Sequence, residues 1–520
     1  MSALMISAGY HHSCAITNKG SLLCWGQNAS GQLGNGAKDL ARVTPELVRG
    51  FTADVTAVSA GGSHTCALVD DMVQCWGSND EGRLGVGDSL ERLSPTPVSG
   101  LKGKISAVSA GGSHTCALLD GTVQCWGAND QGQLGDGSTT SRLIPTAVKG
   151  LPRSIVAVSA GGAHSCALSN LGAITCWGAN DQGQLGNGST QRSLVPLPVQ
   201  SLNNVTSVQT GGGHTCVILS EGSLRCWGRN WAGQLGDGTT DDRFLPTTPL
   251  GMTSGVRAVA TSLDQHTCAV LSSGTVRCWG MNEFGQLGDG TSSALDPQVV
   301  VRLTPVDVLG TDRGTVQVVT GAAHSCSRSE SGLVQCWGLN RYGALGDSTT
   351  TDRRTPVSIT TGSTQNILYD FENGDTQTWI GQNIKSGPWS VDEWSAHGSS
   401  SLKADISLGS KRVILHDNSA VSGLNRRNLN GKLVLSASVR HASWGEMGRG
   451  MTAKLYLKVG GSWRWFDGGQ VPVSDSATTL TLKLSDIPEL EAVREIGVEF
   501  ITPQDSSGIS AVYVDRLTVE

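Results

Sequence analysis

The sequence predicts an all-β protein, a seven-bladed β-propeller followed by a β-sandwich of jelly-roll type. Three observations predict it: a unit repeated seven times from residue 1 to about residue 360, 14 cysteines that fall in that unit as regular pairs, and a change of composition after Gly362-Ser363-Thr364. Self-similarity at a fixed period of this size marks a repeat architecture before any single motif is considered.

The totals agree with that class. A chain of 520 residues is too long for one ordinary core, and 69 glycines with only 16% charged residues suit short strands and tight turns better than helices. No helical period extends beyond about two turns. The formal charge of −6 gives no electrostatic reason to bind nucleic acid or an anionic membrane, and no apolar run reaches transmembrane length. The chain passes from Met1-Ser2-Ala3 straight into Leu4-Met5-Ile6, so export requires a leader that precedes this numbering or an engineered Met1.

The repeated unit reads V-x-A-G-G-x-H-x-C-A-L…C-W-G-x-N-x-x-G-Q-L-G-x-G…T-P-x-x-V. Its histidines are His12, His64, His114, His164, His214, His266 and His324, and its C-W-G tryptophans are Trp25, Trp76, Trp126, Trp177, Trp227, Trp279 and Trp337. Four short apolar segments per unit, each bounded by turn residues, describe a propeller blade rather than a solenoid. The chain enters the first unit at Ile6-Ser7-Ala8-Gly9 and leaves the last at Thr355-Pro356-Val357, a strand the first unit is read as lacking. From this phasing we expect the final strand to complete the first blade and so remove an open edge.

The cysteines pair within each unit: Cys14 with Cys24, Cys66 with Cys75, Cys116 with Cys125, Cys166 with Cys176, Cys216 with Cys226, Cys268 with Cys278, and Cys326 with Cys336. Turn chemistry tests the register. A two-residue turn at Asp120-Gly121 places Cys116 opposite Cys125. The longer pairs have a three-residue loop with Gly third, at Gly20, Gly172, Gly222, Gly274 and Gly332, which again sets the cysteines face to face. Asp70-Asp71 departs from the glycine rule. Opposed residues of an antiparallel pair lie within disulfide reach, so seven cross-strand disulfides and an oxidising compartment are expected. No Cys/His spacing suits zinc.

These elements resemble the regulator-of-chromosome-condensation repeat family, in G-x-x-H, C-W-G-x-N and G-Q-L-G-x-G, over about 360 residues. The resemblance implies the propeller fold but not one activity, because the family spans nucleotide-exchange factors, a secreted β-lactamase inhibitor and other extracellular proteins. An exchange factor is intracellular and lacks paired cysteines. The repeated His is expected to satisfy a backbone group in each blade, and the repeated Gln and Trp to pack blade against blade. Function is expected where the copies differ, on loops presented by a rigid ring. Tyr10 and His11 precede the first repeated His, and Asp264 and Gln265 the sixth. Trp231, Glu283, Phe284, Arg341 and Tyr342 stand in the variable positions after the repeated Asn. Copies six, seven and one are neighbours in a closed ring, so Asp264, Glu283, Phe284, Arg341, Tyr342, Tyr10 and His11 share one sector if both loop sets lie on one face.

Such a sector suits polysaccharide chemistry. Two carboxylates can act as acid and base in glycoside hydrolysis, or Tyr or His can take a proton beside a uronate carboxylate offset by Arg. Glu283, Asp264, Tyr10, His11, Arg341 and Tyr342 are the candidate catalytic residues, with Trp231 and Phe284 as sugar contacts. The alternative is a variable, solvated surface that binds a partner or nothing. Asp80, Glu81, Asp130 and Asp181 form a second acidic arc, or ordinary surface charge.

Residues 1–360 are thus read as the propeller, 361–366 as a linker and 367–520 as the sandwich. The last region has no Cys, and alternating stretches at 432–440, 452–460 and 478–485 read as antiparallel strands. Its opening Leu368-Tyr369-Asp370-Phe371-Glu372-Asn373-Gly374 and closing Ala511-Val512-Tyr513-Val514-Asp515-Arg516-Leu517 resemble jelly-roll carbohydrate-binding modules. The central segments around Trp444 and Trp463 look like modules of bacterial β-mannanases and cellulases. That resemblance implies β-mannan or β-glucan as the polysaccharide partner. Trp389, Trp394, Trp444, Trp463 and Trp465 are the candidate stacking residues, since sugars present C–H faces to indole, and Trp379 is assigned to the core. By the same resemblance Glu372 and Asp515, joined by pairing of the terminal strands, imply a structural calcium site, the alternative being a surface carboxylate pair. No cofactor is expected for the propeller, and a monomer is expected. Three functions follow: a polysaccharide hydrolase or lyase, a non-catalytic extracellular glycan binder, and a protein-binding propeller anchored to polysaccharide.

Overall fold

A computed structural model describes residues 2–51, 53–293, 301–311 and 314–360; beyond them it describes the strands named below, with side chains at 452–456, 467–473, 478–484, 487 and 498–501. The chain divides into two units, Met1–Thr361 and Gly362–Glu520.

The first unit is a ring of seven four-stranded antiparallel meanders. Blade three is representative, with strands Ile105–Ala110, His114–Leu119, Thr122–Gly127 and Arg142–Ala147 running from the axis to the rim. The His-x-Cys strand is buried along its whole length because both of its faces meet neighbouring blades, so it reads as an unbroken apolar run rather than an alternation. The rim strand is half exposed, and each blade has a proline there, at Pro45, Pro95, Pro145, Pro196, Pro246, Pro305 and Pro356. Proline removes an N–H from the open edge and so discourages edge-to-edge pairing.

All seven expected disulfides are present. Cys14 bonds to Cys24, Cys66 to Cys75, Cys116 to Cys125, Cys166 to Cys176, Cys216 to Cys226, Cys268 to Cys278, and Cys326 to Cys336. Each joins directly opposed residues of the second and third strands of its blade, with Cα atoms 4.0–4.1 Å apart. The hairpin turns account for the register. Asp120 and Gly121 take φ of 49° and 69°, and Asp70 and Asp71 take 48° and 58°, so the Asp-Asp pair adopts the same left-handed turn without glycine. Asp tolerates that region better than most side chains.

Between blades, the seven C-W-G tryptophans are at most 1% exposed. In six of them Nε1 donates to a main-chain carbonyl of the preceding blade at 2.9–3.0 Å. The last Gly of Q-L-G seats the ring. It holds φ of 65–70° at Gly34, Gly85, Gly135, Gly186, Gly236, Gly288 and Gly346. A Cβ there would fall 2.6–2.8 Å from the indole nitrogen.

The seven histidines form a second closed circuit. Each Nε2 lies 2.8–2.9 Å from the Ser or Thr hydroxyl that follows the repeated His of the next blade, from His12–Thr65 round to His324–Ser13. Each hydroxyl donates its single proton to a carbonyl at 2.8–3.0 Å, so Nε2 must be the donor to it. Burial pushes the imidazoles down, to about 3 for His12, His114, His214, His266 and His324 and about 4 for His164. The His therefore reaches the backbone through a hydroxyl relay, not directly as expected. The repeated Gln also differs from expectation: its side chain braces its own loop, and its main-chain carbonyl takes the bonds from the next blade.

Ring closure corrects a further expectation. Blade one has its own rim strand, Ala41–Leu47, and Arg353–Ser358 is the rim strand of blade seven. The first unit carries its own Thr44-Pro45, so no strand is exchanged. Closure uses cross-blade bonds found elsewhere in the ring, and the Gln317 amide also accepts from Ile6 N at 3.1 Å and donates to Ile6 O at 2.9 Å, imitating a strand pair.

The second unit has two antiparallel sheets. One runs Ile384–Val391, Ser401–Ser407, Ile509–Val519, Val434–His441, Thr478–Lys483, and Asn366–Tyr369 also pairs with Ile509–Val519. The other runs Trp379–Gln382, Val413–Asp417, Val493–Ile501, Thr452–Val459, Arg464–Asp467, and Val471–Pro472 also pairs with Thr452–Val459. Leu455, Leu480, Leu482, Val498 and Phe500 are buried, as the alternation requires. Trp379, Trp389, Trp465 and Asp515 lie on described strands, while Glu372, Trp394, Trp444 and Trp463 lie outside the described residues.

Candidate functional site

One face of the propeller carries both variable loop sets. In every blade the amide after C-W-G donates to the carbonyl of the residue before the repeated His at 2.8–3.0 Å, from Gln27 to His11 round to Leu339 to Ala323. A meander imposes this, because the first strand ends, the second begins and the third ends on the same side. The loops are stiff. The repeated Asn accepts from the amide five residues on, as Asn129 does from Leu134 at 3.0 Å, and its Nδ2 donates across the loop to Asp136 and Thr140.

At the axis, main-chain bonds link successive blades: Tyr10 to Gly61, Gly62 to Gly111, Gly112 to Gly161, Gly162 to Gly211, Gly212 to Ser262, and Ala322 to Tyr10. Tyr10 stands where the next four blades have glycine, and its side chain lies over the first two of them. A Cβ on Gly62 would sit 3.3 Å from the Tyr10 ring, and one on Gly112 would sit 3.5 Å from its hydroxyl. Blade six approaches from the other side with Asp264, on a loop one residue longer than that of blade two.

The Tyr10 phenol feels the Asp264 charge. Burial raises the Tyr10 phenol and the Asp264 charge raises it further, while Arg83 opposes. Burial also raises the Asp264 carboxyl, with Gln265 and Arg229 lowering it and Glu283 raising it. His11 lies 5.2 Å from the Tyr342 ring across the blade seven–blade one junction, and the Arg341 guanidinium lies 4.9 Å over Tyr342. Burial lowers the His11 imidazole, and Arg341 lowers it further.

The predicted sector thus falls into two groups on one face, Tyr10 with Asp264 and Glu283, and His11 with Tyr342 and Arg341. Phe284 is half-buried, with its amide bonded to Gln286. Trp231 is 46% exposed on blade five, where the Arg229 guanidinium lies 5.3 Å over its ring. The acidic arc is largely tied down: Asp130 and Asp181 accept from Gln133 and Gln184, Asp80 accepts from Ser78, and Glu81 accepts from Ser141.

Two arginines on this face escaped the sequence reading. Arg83 replaces the repeated Gln in blade two, is 9% exposed, and acts on Tyr10 and on His64. Arg229 follows C-W-G in blade five. Both are visible in the sequence as departures from the repeat, Arg83 at the repeated Gln and Arg229 directly after C-W-G. Among the described residues, no group of three His, Cys, Asp or Glu side chains is placed to hold a metal ion, and no helix is long and apolar enough to cross a membrane.

The fold defines a disulfide-stapled repeat propeller followed in the chain by a β-sandwich of two antiparallel sheets. Residues 19–68, 70–118, 120–168, 172–218 and 273–327 match the regulator of chromosome condensation (RCC1) repeat, and a second model of that description matches 55–83, 105–133, 155–184, 205–234, 256–286 and 315–344. The ultraviolet-B receptor UVR8 of Arabidopsis thaliana is 34% identical over 373 residues, covering 70% of this chain and 71% of the receptor. The chain belongs to the RCC1 repeat family. The solved structure of Prp20p from Saccharomyces cerevisiae shares the fold at TM-score 0.59 and 23% identity, over 71% of this chain and 90% of that one.

Residues 369–516 match the mannanase galactose-binding domain-like family. Mannan endo-1,4-beta-mannosidase A and B of Caldalkalibacillus mannanilyticus is 43% identical over 155 residues, 29% of this chain and 29% of that protein. This chain therefore spans under a third of the mannosidase. The pairing of a propeller with this module gives the protein a carbohydrate-related role.

Proposed function

We propose that this is an extracellular, polysaccharide-directed enzyme whose C-terminal module holds β-mannan, or second β-glucan, while the propeller cleaves polysaccharide on its variable face. The carrying observation is the half-buried Asp264, whose charge acts on Tyr10 and which itself feels the Glu283 charge. Burial and the Glu283 charge raise the Asp264 carboxyl, and Glu283 is exposed to water. Two carboxyls in unlike surroundings divide the acid and base roles of glycoside hydrolysis. Seven disulfides support an oxidising compartment, and a tethered module raises the local concentration of substrate. A structural calcium ion at Glu372 and Asp515 and a monomeric state belong to the same proposal.

A second reading is elimination. Burial and then Arg341 hold His11 neutral near pH 7, leaving an imidazole able to accept a proton beside a guanidinium that offsets a uronate carboxylate. Tyr10 is the poorer base, because burial and Asp264 raise its phenol.

Assays of new reducing ends and of unsaturated-product absorbance across mannans, glucans and uronate polymers separate the readings. New ends alone mean hydrolysis, and both signals mean elimination. Neither signal on the whole panel defeats the enzyme reading and leaves a non-catalytic binder.

A further inference from the structure

Blade five departs from its neighbours at three linked positions. Before the repeated His it has Gly213, where the other six blades have His11, Ser63, Ser113, Ala163, Gln265 and Ala323. After C-W-G it has Arg229, where the others have Gln27, Ser78, Ala128, Ala179, Met281 and Leu339. After the repeated Asn it has Trp231, where the others have Ala29, Asp80, Asp130, Asp181, Glu283 and Arg341. The changes fit one another. A Cβ on Gly213 would lie 3.2 Å from Arg229 Cδ and 2.5 Å from Gln182 Oε1, so the glycine makes room for the arginine stem, which then carries the guanidinium over Trp231.

The result is two donors with no acceptor. In blade one Gln32 Nε2 donates to Gln27 Oε1 at 3.3 Å, and in blades three and four Gln133 and Gln184 donate to Asp130 and Asp181 at 3.2 and 3.1 Å. Blade five has replaced both kinds of acceptor, one by Arg229, itself a donor, and the other by an apolar ring. Gln234 is 0% exposed and its Oε1 still accepts from Ala232, but its Nε2 has no partner, and neither has the buried Nε of Arg229. The Asp264 charge acts on this corner without a hydrogen bond to Arg229 among the described residues. A buried donor without a protein partner takes its acceptor from water or from a ligand.

We infer that blade five carries a binding subsite for an acidic sugar: a hexuronate carboxylate takes the Arg229 guanidinium and the Gln234 Nε2 donor, and its pyranose ring stacks on Trp231 as that exposed side chain turns aside to admit it. A carboxylate suits the site because the Arg229 guanidinium and the Gln234 Nε2 group offer only donors, one of them cationic. A sugar rather than a bare anion suits it because its C–H face matches indole. The inference rests on the polysaccharide-directed reading and names the sugar class for the propeller, distinct from the neutral chain assigned to the module.

Calorimetry on the full chain tests it with oligogalacturonate, oligoglucuronate, neutral oligomannose of equal length, and inorganic phosphate. The expected result is tighter binding of an oligouronate than of oligomannose, with phosphate a poor competitor. Arg229→Gln rebuilds the blade-one acceptor and Trp231→Asp rebuilds that of blades three and four, so each variant should fold as well as the parent. Each should also weaken oligouronate binding about tenfold or more, with mannan retention unchanged. Equal binding of neutral and acidic oligomers, competition by phosphate as strong as by the sugar, or parental affinity in both variants would overturn the inference. A water in place of the carboxylate gives the last result. Uronate binding that depends on Arg229 without any chain cleavage would keep this subsite and defeat the enzyme reading, and cleavage indifferent to both variants would do the reverse.

Discussion

Inside the ring, the repeated histidines do the same thing in every blade; on the loop face, equivalent residues do opposite things. His164 meets Thr215 as His12 meets Thr65, at 2.9 Å in both cases. Yet Asp181 satisfies Gln184, whereas Trp231 at the same position leaves Gln234 without an acceptor. The interior is set by a requirement that each blade fit two neighbours, which leaves no freedom to vary. The loop face has no such neighbour, so it can acquire chemistry without disturbing the ring.

The sharpest way to break this contrast is to damage the interior. Trp177→Ala removes a fully buried indole and its bond to Gln133 O, and should cost about 3–5 kcal/mol in denaturant unfolding. A loss within the range of a surface change would mean the blades are not held by these rings. Removing one staple, with Cys116 and Cys125 both changed to Ala, should cost about 2–3 kcal/mol, read by the same titration.

The histidine circuit gives a pH dependence with a definite sign. The unfolded imidazoles titrate near 6.5 and the folded ones near 3–4, so the unfolded state binds more protons between those values. Stability should be level above about pH 6.5 and fall steadily as pH drops from there towards 3–4. Melting temperatures that stay flat from pH 7 to 4.5 would contradict the buried, neutral circuit. The smallest effect on stability belongs to the face: Asp264→Asn and Glu283→Gln should shift stability by no more than about 0.5 kcal/mol. Both should nevertheless abolish any hydrolysis.

Much of the interior was legible because few conformations satisfy it. Cysteines ten apart with Gly third in the loop, as in Cys14 and Cys24, and cysteines nine apart closed on Asp120-Gly121, leave one register, and the structure has it. The histidine relay was legible in part. A Ser or Thr follows every repeated His, from Ser13 to Ser325, yet only the ring geometry shows that it serves the blade before. Ring closure differs from expectation because the first unit already has a rim strand at Thr44-Pro45, legible in the sequence, which leaves no edge for Thr355-Pro356 to fill. Arg83 and Arg229 escaped because they sit at positions where the other copies are neutral, and only burial and orientation make them part of the face.

The central claim, that repeated residues hold the ring and departures from the repeat contact polysaccharide, is tested most directly by returning the departures to repeat-like residues in one full-length chain. The combined variant Tyr10→Gly, Arg83→Gln, Arg229→Gln, Trp231→Asp should keep the parental melting temperature within a few degrees and its retention in mannan gels. Measured by calorimetry, it should bind oligouronate at least about tenfold more weakly than the parent. Parental oligouronate affinity in this variant would contradict the account.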